Sequence, residues 1–209
     1  MEVIELTLPI TNGMETWPGD VPVRLWRHRT LAEGLSNVGG ITLGTHTSTH
    51  LDAPFHWFED GATVERVPLS RLVGEARVVD LRERSDPATV SLAELQAAAG
   101  EVEEGERVLL LTGWRGRIGD QDHPALSPEA VTWLAARRPV LVGIDTPSVD
   151  PPGAGYAHGA LLGAEIAVIE LLCNLEALVG ETFPLVALPL SVVGLDGAPV
   201  RAAALRGLS

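Results

Sequence analysis

The sequence has very little cysteine. Cys173 is the only one in 209 residues, so no disulfide can form within the chain, and the sulfur ligands that favour a closed structural metal site are missing. A single cysteine in an apolar stretch is more typical of a core position than of a nucleophile, and we assign it no role.

Basic residues are also scarce. Lys and Arg together number 15 against 28 for Asp and Glu, a formal net charge of −13, which would repel nucleic acid and anionic lipid. The first residues, Met1–Glu5, lack the basic and long apolar regions of a secretory signal, and no apolar run is long enough to span a bilayer. The sequence therefore predicts a cytoplasmic protein with neither a nucleic-acid nor a membrane partner.

The composition is that of a globular protein, with 45% hydrophobic and 21% charged residues. No repeat or linker divides the chain, which predicts one domain over residues 1–209. Apolar and β-branched runs predict a series of strands. They fall at residues 2–8, 22–28, 38–46, 76–82, 107–113, 140–145, 166–170, 183–192 and 199–205. The fold class is therefore predicted as α/β, a single mixed domain rich in strands.

Two helices are predicted from their capping residues. Ser91 followed three residues later by Glu94 forms a capping box. Ser127 precedes Pro128, a residue suited to the first helical position, and this second helix is predicted to stop before Pro139.

The segment from residue 46 to residue 56 carries most of the chemistry. Three of the six histidines, His46, His50 and His56, lie in these eleven residues together with Asp52. On an extended chain these even-numbered side chains would project to one side. A helix would also place His46 and His50 together, but the intervening Thr and Ser residues are poor helix formers. We therefore expect an extended segment.

Pro54 lacks a backbone donor, so the strand is expected to end near Asp52 and a turn to bring His56 back to the same pocket. Imidazole and carboxylate suit zinc and also manganese, iron or nickel, and a catalytic metal is favoured over a closed structural one. The alternative is a set of surface or structural histidines, which four convergent groups on one short segment disfavour.

The segment resembles the His-x-Gly/Ser-Thr-His-x-Asp-x-Pro-x-His signature of the cyclase-like metal hydrolases, and in particular of the bacterial kynurenine formamidases. Ser48 stands where the wider family often has Gly. Further segments are similar in the same order along the chain. They are Glu15–Asp20, Gly143–Asp150, His158–Leu162 with Ile169 and Glu170, Ala187–Leu190, and Gly194–Arg201.

The resemblance implies a swivelling β/β/α fold and a binuclear zinc site, with Mn²⁺ or another divalent ion as a possible replacement. It implies that His46 and His50 bind one metal, that His158 binds the other, and that Asp52 and Glu170 bridge both. Without the resemblance, His158 would be read as an ordinary loop histidine. Glu165 competes as a carboxylate but lies too close to His158 in sequence.

The resemblance further implies hydrolysis of N-formyl-L-kynurenine to L-kynurenine and formate in tryptophan degradation, by a homodimer. His56 would be the acid/base residue and Trp17 would line the substrate pocket. Four polar residues are available for the amino-acid end of the substrate: Asp20, Asp145, Thr146 and Ser148. The alternatives are a hydrolase of the same family acting on another amide, lactam or ester, and a non-catalytic metal-binding protein.

Overall fold

The computed structural model describes residues 1–120 and 122–207. Within these ranges the strands are β1 (Glu2–Glu5), β2 (Arg24–Arg29), β3 (Val38–Thr42), β4 (His50–Asp52), β5 (Val73–Asp80), β6 (Thr89–Val90), β7 (Arg107–Leu111), β8 (Ala125–Leu126), β9 (Leu141–Ile144), β10 (Ala167–Glu170), β11 (Thr182–Pro189) and β12 (Gly197–Arg206). The helices are α1 (Leu69–Leu72), α2 (Leu92–Ala99), α3 (Pro128–Arg137) and α4 (Tyr156–Gly163). Short 3-10 helices occupy Pro54–His56, Val64–Arg66 and Leu175–Leu178.

The main sheet has eight strands in the order β1-β12-β11-β5-β7-β9-β10-β4, and β4 also pairs with β12. This extra pairing closes seven of the strands into a barrel-like ring, and β1 adds to the outer part of β12. The ten-residue β12 makes the closure possible, because its first residues pair with β4 and its later ones with β11 and β1. The α/β, strand-rich, single-domain prediction is confirmed.

The central strands are buried on both sides because their residues are continuously apolar. In β7, Leu109 and Leu111 join one buried cluster with side chains of β11 and β12, whereas Val108 and Leu110 join a second cluster with α2, α3 and α4. Alternate residues of a strand face opposite sides of the sheet. Parallel pairing of β7, β9 and β10 is consistent with this double burial.

Both predicted helix starts are confirmed. Ser91 and Glu94 form a reciprocal capping box at α2, and the Ser127 side chain accepts a hydrogen bond from the backbone N–H of Ala130 at α3. The α3 helix ends at Arg137, before Pro139 as expected.

Two strand predictions were too long. The segment predicted as a strand over 38–46 ends at Thr42, and a turn follows at Thr45 and His46. With β2 it forms a separate two-stranded hairpin, β2–β3. The strand predicted over 2–8 stops at Glu5.

None of the helices within the described ranges has the length and apolar character needed to span a membrane.

Candidate metal centre

Strand pairing places the first two ligand candidates. His50 of β4 lies opposite Glu170 of β10, and Asp52 lies opposite both Val168 and, on the other edge of β4, Gly197. His50 and Asp52 are two residues apart on one strand, so they share a face as predicted. The whole of β4 and β10 is buried, which takes the two carboxylates out of water.

His46 reaches the same place by a different route from the one predicted. It lies in a turn rather than on an extended strand. The prediction that His46 lies on an extended segment was therefore wrong. The chain re-enters β4 through Ser48, whose φ of +60° lies in the left-handed region. Gly adopts this conformation without strain, whereas a residue with a Cβ such as Ser adopts it less readily.

His56 was expected to swing back after Pro54, and it does. Pro54 begins the 3-10 helix Pro54–His56, which turns the chain and lays the His56 ring beside His46, with the ring centroids 4.1 Å apart. The strand β4 ends at Asp52, also as expected. The two rings border the same cavity.

His158 lies on α4 rather than in a loop, so the loop interpretation was wrong. Asp150 accepts hydrogen bonds from the backbone N–H groups of Ala157 and His158 at 2.8 and 2.9 Å and from His158 Nδ1 at 2.7 Å. Trp57 stacks on a face of the imidazole, with centroids 5.6 Å apart and an interplanar angle of 18°. The ring of His158 is therefore held at its edge by Asp150 and on one face by Trp57.

The inward-facing nitrogens converge on Asp52. His46 Nδ1 and His50 Nε2 lie 2.8 and 3.3 Å from Asp52 Oδ1, and His158 Nε2 lies 3.4 Å from Asp52 Oδ2. Glu170 completes the group, with Oε1 3.3 Å from His158 Nε2 and Oε2 3.5 Å from His50 Nε2. The structure thus brings together all five residues predicted from the sequence as ligands.

The other nitrogen of each of these histidines faces an oxygen. His50 Nδ1 donates to the Ser48 carbonyl oxygen at 2.8 Å, His158 Nδ1 to Asp150, and His46 Nε2 to Asp196 Oδ2 at 2.8 Å. Since carbonyl and carboxylate oxygens only accept, the hydrogen must lie on the outer nitrogen. Metal-binding histidines in proteins are held in this way.

The charges of the cluster favour bound cations. Burial lowers the pKa of His50, but the Asp52 carboxylate more than offsets this and raises it to about 10. For His46, burial is likewise outweighed by the neighbouring carboxylates of Asp196 and Asp52, and the pKa rises to about 9. Burial raises the pKa of the Asp52 carboxyl, yet the charge of His50 holds it well below its usual range. The carboxylates therefore draw positive charge into the site.

The donor set fits divalent cations. Both Asp52 oxygens are fully buried, and among the described residues neither has a hydrogen-bond partner. An unsatisfied buried carboxylate is costly unless something else neutralises it. Two groups of three residues share Asp52, namely His46 with His50, and His158 with Glu170. One carboxylate shared by these two groups could hold two cations.

A cavity of about 240 Å³ opens beside the cluster. Its lining includes His56, Trp17, Asp20 and Ser148. Trp17, which was expected to line the substrate pocket, therefore lies at the site, and so do two of the four polar residues named for the amino-acid end of the substrate. Asp145 is used elsewhere, since it accepts hydrogen bonds from the backbone N–H groups of two residues that follow β7. A larger cavity of about 500 Å³ lies near Arg66 and has no histidine in its lining.

The remaining candidates lie outside the cluster. Glu165 is exposed and paired with Arg71 at 2.9 Å, so it does not compete as a ligand. Arg115 and Arg117 pair with Glu176 and Glu15, so these arginines belong to a salt-bridged surface.

Sequence reasoning assigned no role to Asp150, Asp196 or Trp57, although all three contact the cluster. The two aspartates lie within segments that carry the family resemblance, so that resemblance was the available signal. Trp57 follows His56 directly, but its stacking depends on α4 approaching from far along the chain. Gly155 makes room for it, because a Cβ there would lie 2.2 Å from the indole.

The chain is similar in sequence to known proteins. Residues 4–151 match the family model described as "Putative cyclase". A kynurenine formamidase of Geobacillus thermodenitrificans (strain NG80-2) is 37% identical over 205 residues, covering 96% of this chain and 95% of the relative.

Two solved structures share the fold. A potential metal-dependent hydrolase with cyclase activity superposes with a TM-score of 0.80 at 28% identity, covering 97% of this chain and 96% of the other. Isatin hydrolase A from Ralstonia solanacearum superposes with a TM-score of 0.83 at 25% identity, covering 97% and 91%.

Replacing the shared carboxylate should abolish cation binding. A ligand that binds only the folded chain at about 100 times its Kd stabilises it by about 2.7 kcal/mol, so zinc added to the metal-stripped chain should raise its melting temperature. Asp52→Asn should remove most of that rise while the variant stays folded, because both groups of three lose a member. The exposed Asp60→Asn is the matched control. A full zinc-dependent rise in Asp52→Asn would contradict the shared-ligand geometry.

Proposed function

The chain belongs to the cyclase family and is a hydrolase, and from this membership we propose that it hydrolyses N-formyl-L-kynurenine to L-kynurenine and formate in tryptophan degradation. The observation that carries the proposal is the convergence of His46, His50, His158 and Glu170 on the buried Asp52, beside an open cavity. Similarity to a kynurenine formamidase over nearly the whole chain supports this substrate.

We assign His46 and His50 to one cation and His158 to the other, with Asp52 and Glu170 shared between them. Zinc is the proposed metal, and manganese or another divalent ion would suit the same nitrogen and oxygen donors. Divalent cations supply hydroxide at neutral pH and polarise a carbonyl oxygen. The protein's part is to fix the donors, which it does through Ser48, Asp150 and Asp196.

His56 is the proposed acid/base residue. In the reaction, an oxygen–carbon bond forms at the formyl carbon, the carbon–nitrogen bond breaks, and the aniline nitrogen leaves with a proton. An imidazole can accept a proton from the attacking water and pass it to that nitrogen. His56 borders the cavity with 28% of its side chain exposed, and its ring centroid lies 5.4 Å from that of His158.

The substrate's ring and amino-acid end would contact the outer part of the cavity. Trp17 presents a flat apolar surface there, and its indole packs edge-on against His123 with centroids 5.9 Å apart. Aromatic rings stack favourably on such a surface. Asp20 and Ser148 line the same cavity and are the proposed partners of the zwitterionic end.

A second candidate is hydrolysis of a cyclic amide, which the similarity to isatin hydrolase A favours. A non-catalytic metal carrier is disfavoured by His56 and Trp17, which such a protein does not need.

The metal-loaded chain should hydrolyse N-formyl-L-kynurenine to kynurenine with a higher kcat/KM than it shows for the ring opening of isatin. Preference for isatin would support the second candidate, and no hydrolysis of either by the metal-replete chain would support a carrier.

We also propose a homodimer, formed through the hairpin β2–β3. Within the described residues neither strand pairs with the main sheet, and both expose large apolar side chains, with Trp26 48% and Ile41 67% exposed. An isolated two-stranded hairpin is marginally stable in water. Residues 24–42 contain three arginines and one acidic residue, whereas the whole chain has a formal net charge of −13. The hairpin therefore complements the acidic surface of a second copy.

A cytoplasmic location stays a prediction from the sequence.

Removing the His56 imidazole should reduce turnover without removing metal. General acid/base assistance is worth about 10²–10⁴-fold, so we expect His56→Ala to lose kcat by that order at unchanged metal content. Steady-state kinetics and elemental analysis of the same sample give both quantities. His28→Ala, at an exposed histidine of β2, is the control. Loss of bound metal from His56→Ala would make His56 a ligand and overturn its proposed role.

The dimer should depend on the charge of the hairpin. Sedimentation velocity should show a species of twice the chain mass for the native protein, and high salt should weaken it because salt screens exposed charges. Arg27→Glu should shift the population to monomer, while Arg66→Glu, at an exposed arginine outside the hairpin, should not. A native protein that is monomeric at every concentration would refute the proposal.

A further inference from the structure

Asp196 contacts two of the active-site histidines through one oxygen. Its Oδ2 accepts hydrogen bonds from His46 Nε2 at 2.8 Å and from His56 Nδ1 at 3.2 Å. The two rings lie side by side with centroids 4.1 Å apart. We propose that Asp196 is a positioning residue that sets the tautomers of His46 and His56 together. The proposal rests on the proposed function for the part that concerns turnover.

The backbone holds this carboxylate in place. Asp196 immediately precedes β12, whose first residue, Gly197, pairs with Asp52. The Asp196 carbonyl oxygen accepts a hydrogen bond from the N–H of Ala53 at 2.9 Å, so the same strand pairing positions Asp52 and Asp196. Gly197 is required at the join, because a Cβ there would lie 2.5 Å from the Leu51 carbonyl oxygen.

For His46 the consequence concerns the cation. A hydrogen on Nε2, directed at Asp196, leaves the lone pair of a neutral imidazole on Nδ1, the nitrogen 2.8 Å from Asp52 Oδ1. A carboxylate on the outer nitrogen also raises the basicity of the inner one. Asp196 therefore prepares His46 as a ligand, in the way that Asp150 prepares His158.

For His56 the consequence concerns the proton. The hydrogen bond to Asp196 requires the hydrogen on Nδ1, which leaves Nε2 of the neutral ring as the acceptor. A general base needs its lone pair on the nitrogen that meets the proton, and a misplaced tautomer is inactive. One oxygen thus controls a ligand and an acid/base residue, and loss of Asp196 should produce two defects that can be measured separately.

The first measurement is zinc affinity, determined by competition with a chromophoric chelator without substrate. Loss of the outer partner of a metal-binding histidine costs about 10–100-fold in metal affinity, and Asp196→Asn should lose affinity by that order. Asp150→Asn, which removes the partner of His158, should show a comparable loss. The exposed Asp60→Asn should bind zinc as the native chain does. Native zinc affinity in Asp196→Asn would overturn the role at His46.

The second measurement is turnover at saturating zinc. Asp196→Asn should lower kcat with little change in KM, and the double variant with His56→Ala should lose no more than His56→Ala alone, because both changes remove one function. Asp150→Asn is not linked to His56, so its loss should multiply with that of His56→Ala. Multiplying losses for Asp196→Asn would overturn the role at His56.

Nitrogen-15 NMR of the imidazoles tests the tautomers directly and does not depend on the substrate. The native chain should show His56 protonated on Nδ1, and Asp196→Asn should show a mixture of tautomers, with Asp196→Glu partly restoring the native signal. A native His56 protonated on Nε2 alone would overturn the proposal even if formamidase activity is found. If no substrate is hydrolysed, the zinc and NMR results still decide whether Asp196 positions the two rings.

Discussion

The fold is arranged around a buried carboxylate that the protein itself does not satisfy. Asp52 is fully buried, and within the described part of the chain neither of its oxygens has a hydrogen-bond partner. Burying such a charge costs several kcal/mol unless an opposite charge compensates it. Three imidazoles and Glu170 surround it, and the nearest nitrogens of His50 and His158 lie 3.3 and 3.4 Å from its oxygens. The arrangement is stable as a cage for positive charge, and this property underlies the proposed chemistry.

The closed sheet explains how the cage can be rigid. β4 lies between β10 and β12, so three strands from distant parts of the chain fix His50, Asp52, Glu170 and the start of β12 in one register. The residues that complete the site come from a turn, a 3-10 helix and α4. Asp196 holds the rings of His46 and His56, and Asp150 holds the ring of His158. A rigid sheet that carries variable loops is a common way to build an active site.

Much of this could be predicted from the sequence, for reasons that differ between residues. His50 and Asp52 follow the period of two because they lie on a strand, and the caps at Ser91 and Ser127 act within four residues. His46, His56 and His158 converge by turns and tertiary packing that a periodic pattern does not encode. The clustering of histidines in residues 46–56 identified the first two, and the family resemblance was needed to add His158. Asp196 was missed because its role depends on the pairing of β12 with β4, which links residues far apart in sequence.

The most direct test of the account is anomalous X-ray scattering from crystals of the zinc-loaded chain, measured at the zinc absorption edge. We predict two peaks on either side of the Asp52 carboxylate, roughly 3.5–4 Å apart as in other two-metal sites. One should lie beside His46 and His50 and the other beside His158. Peaks elsewhere on the surface, with none at Asp52, would contradict the proposal that Asp52 is shared by two cations.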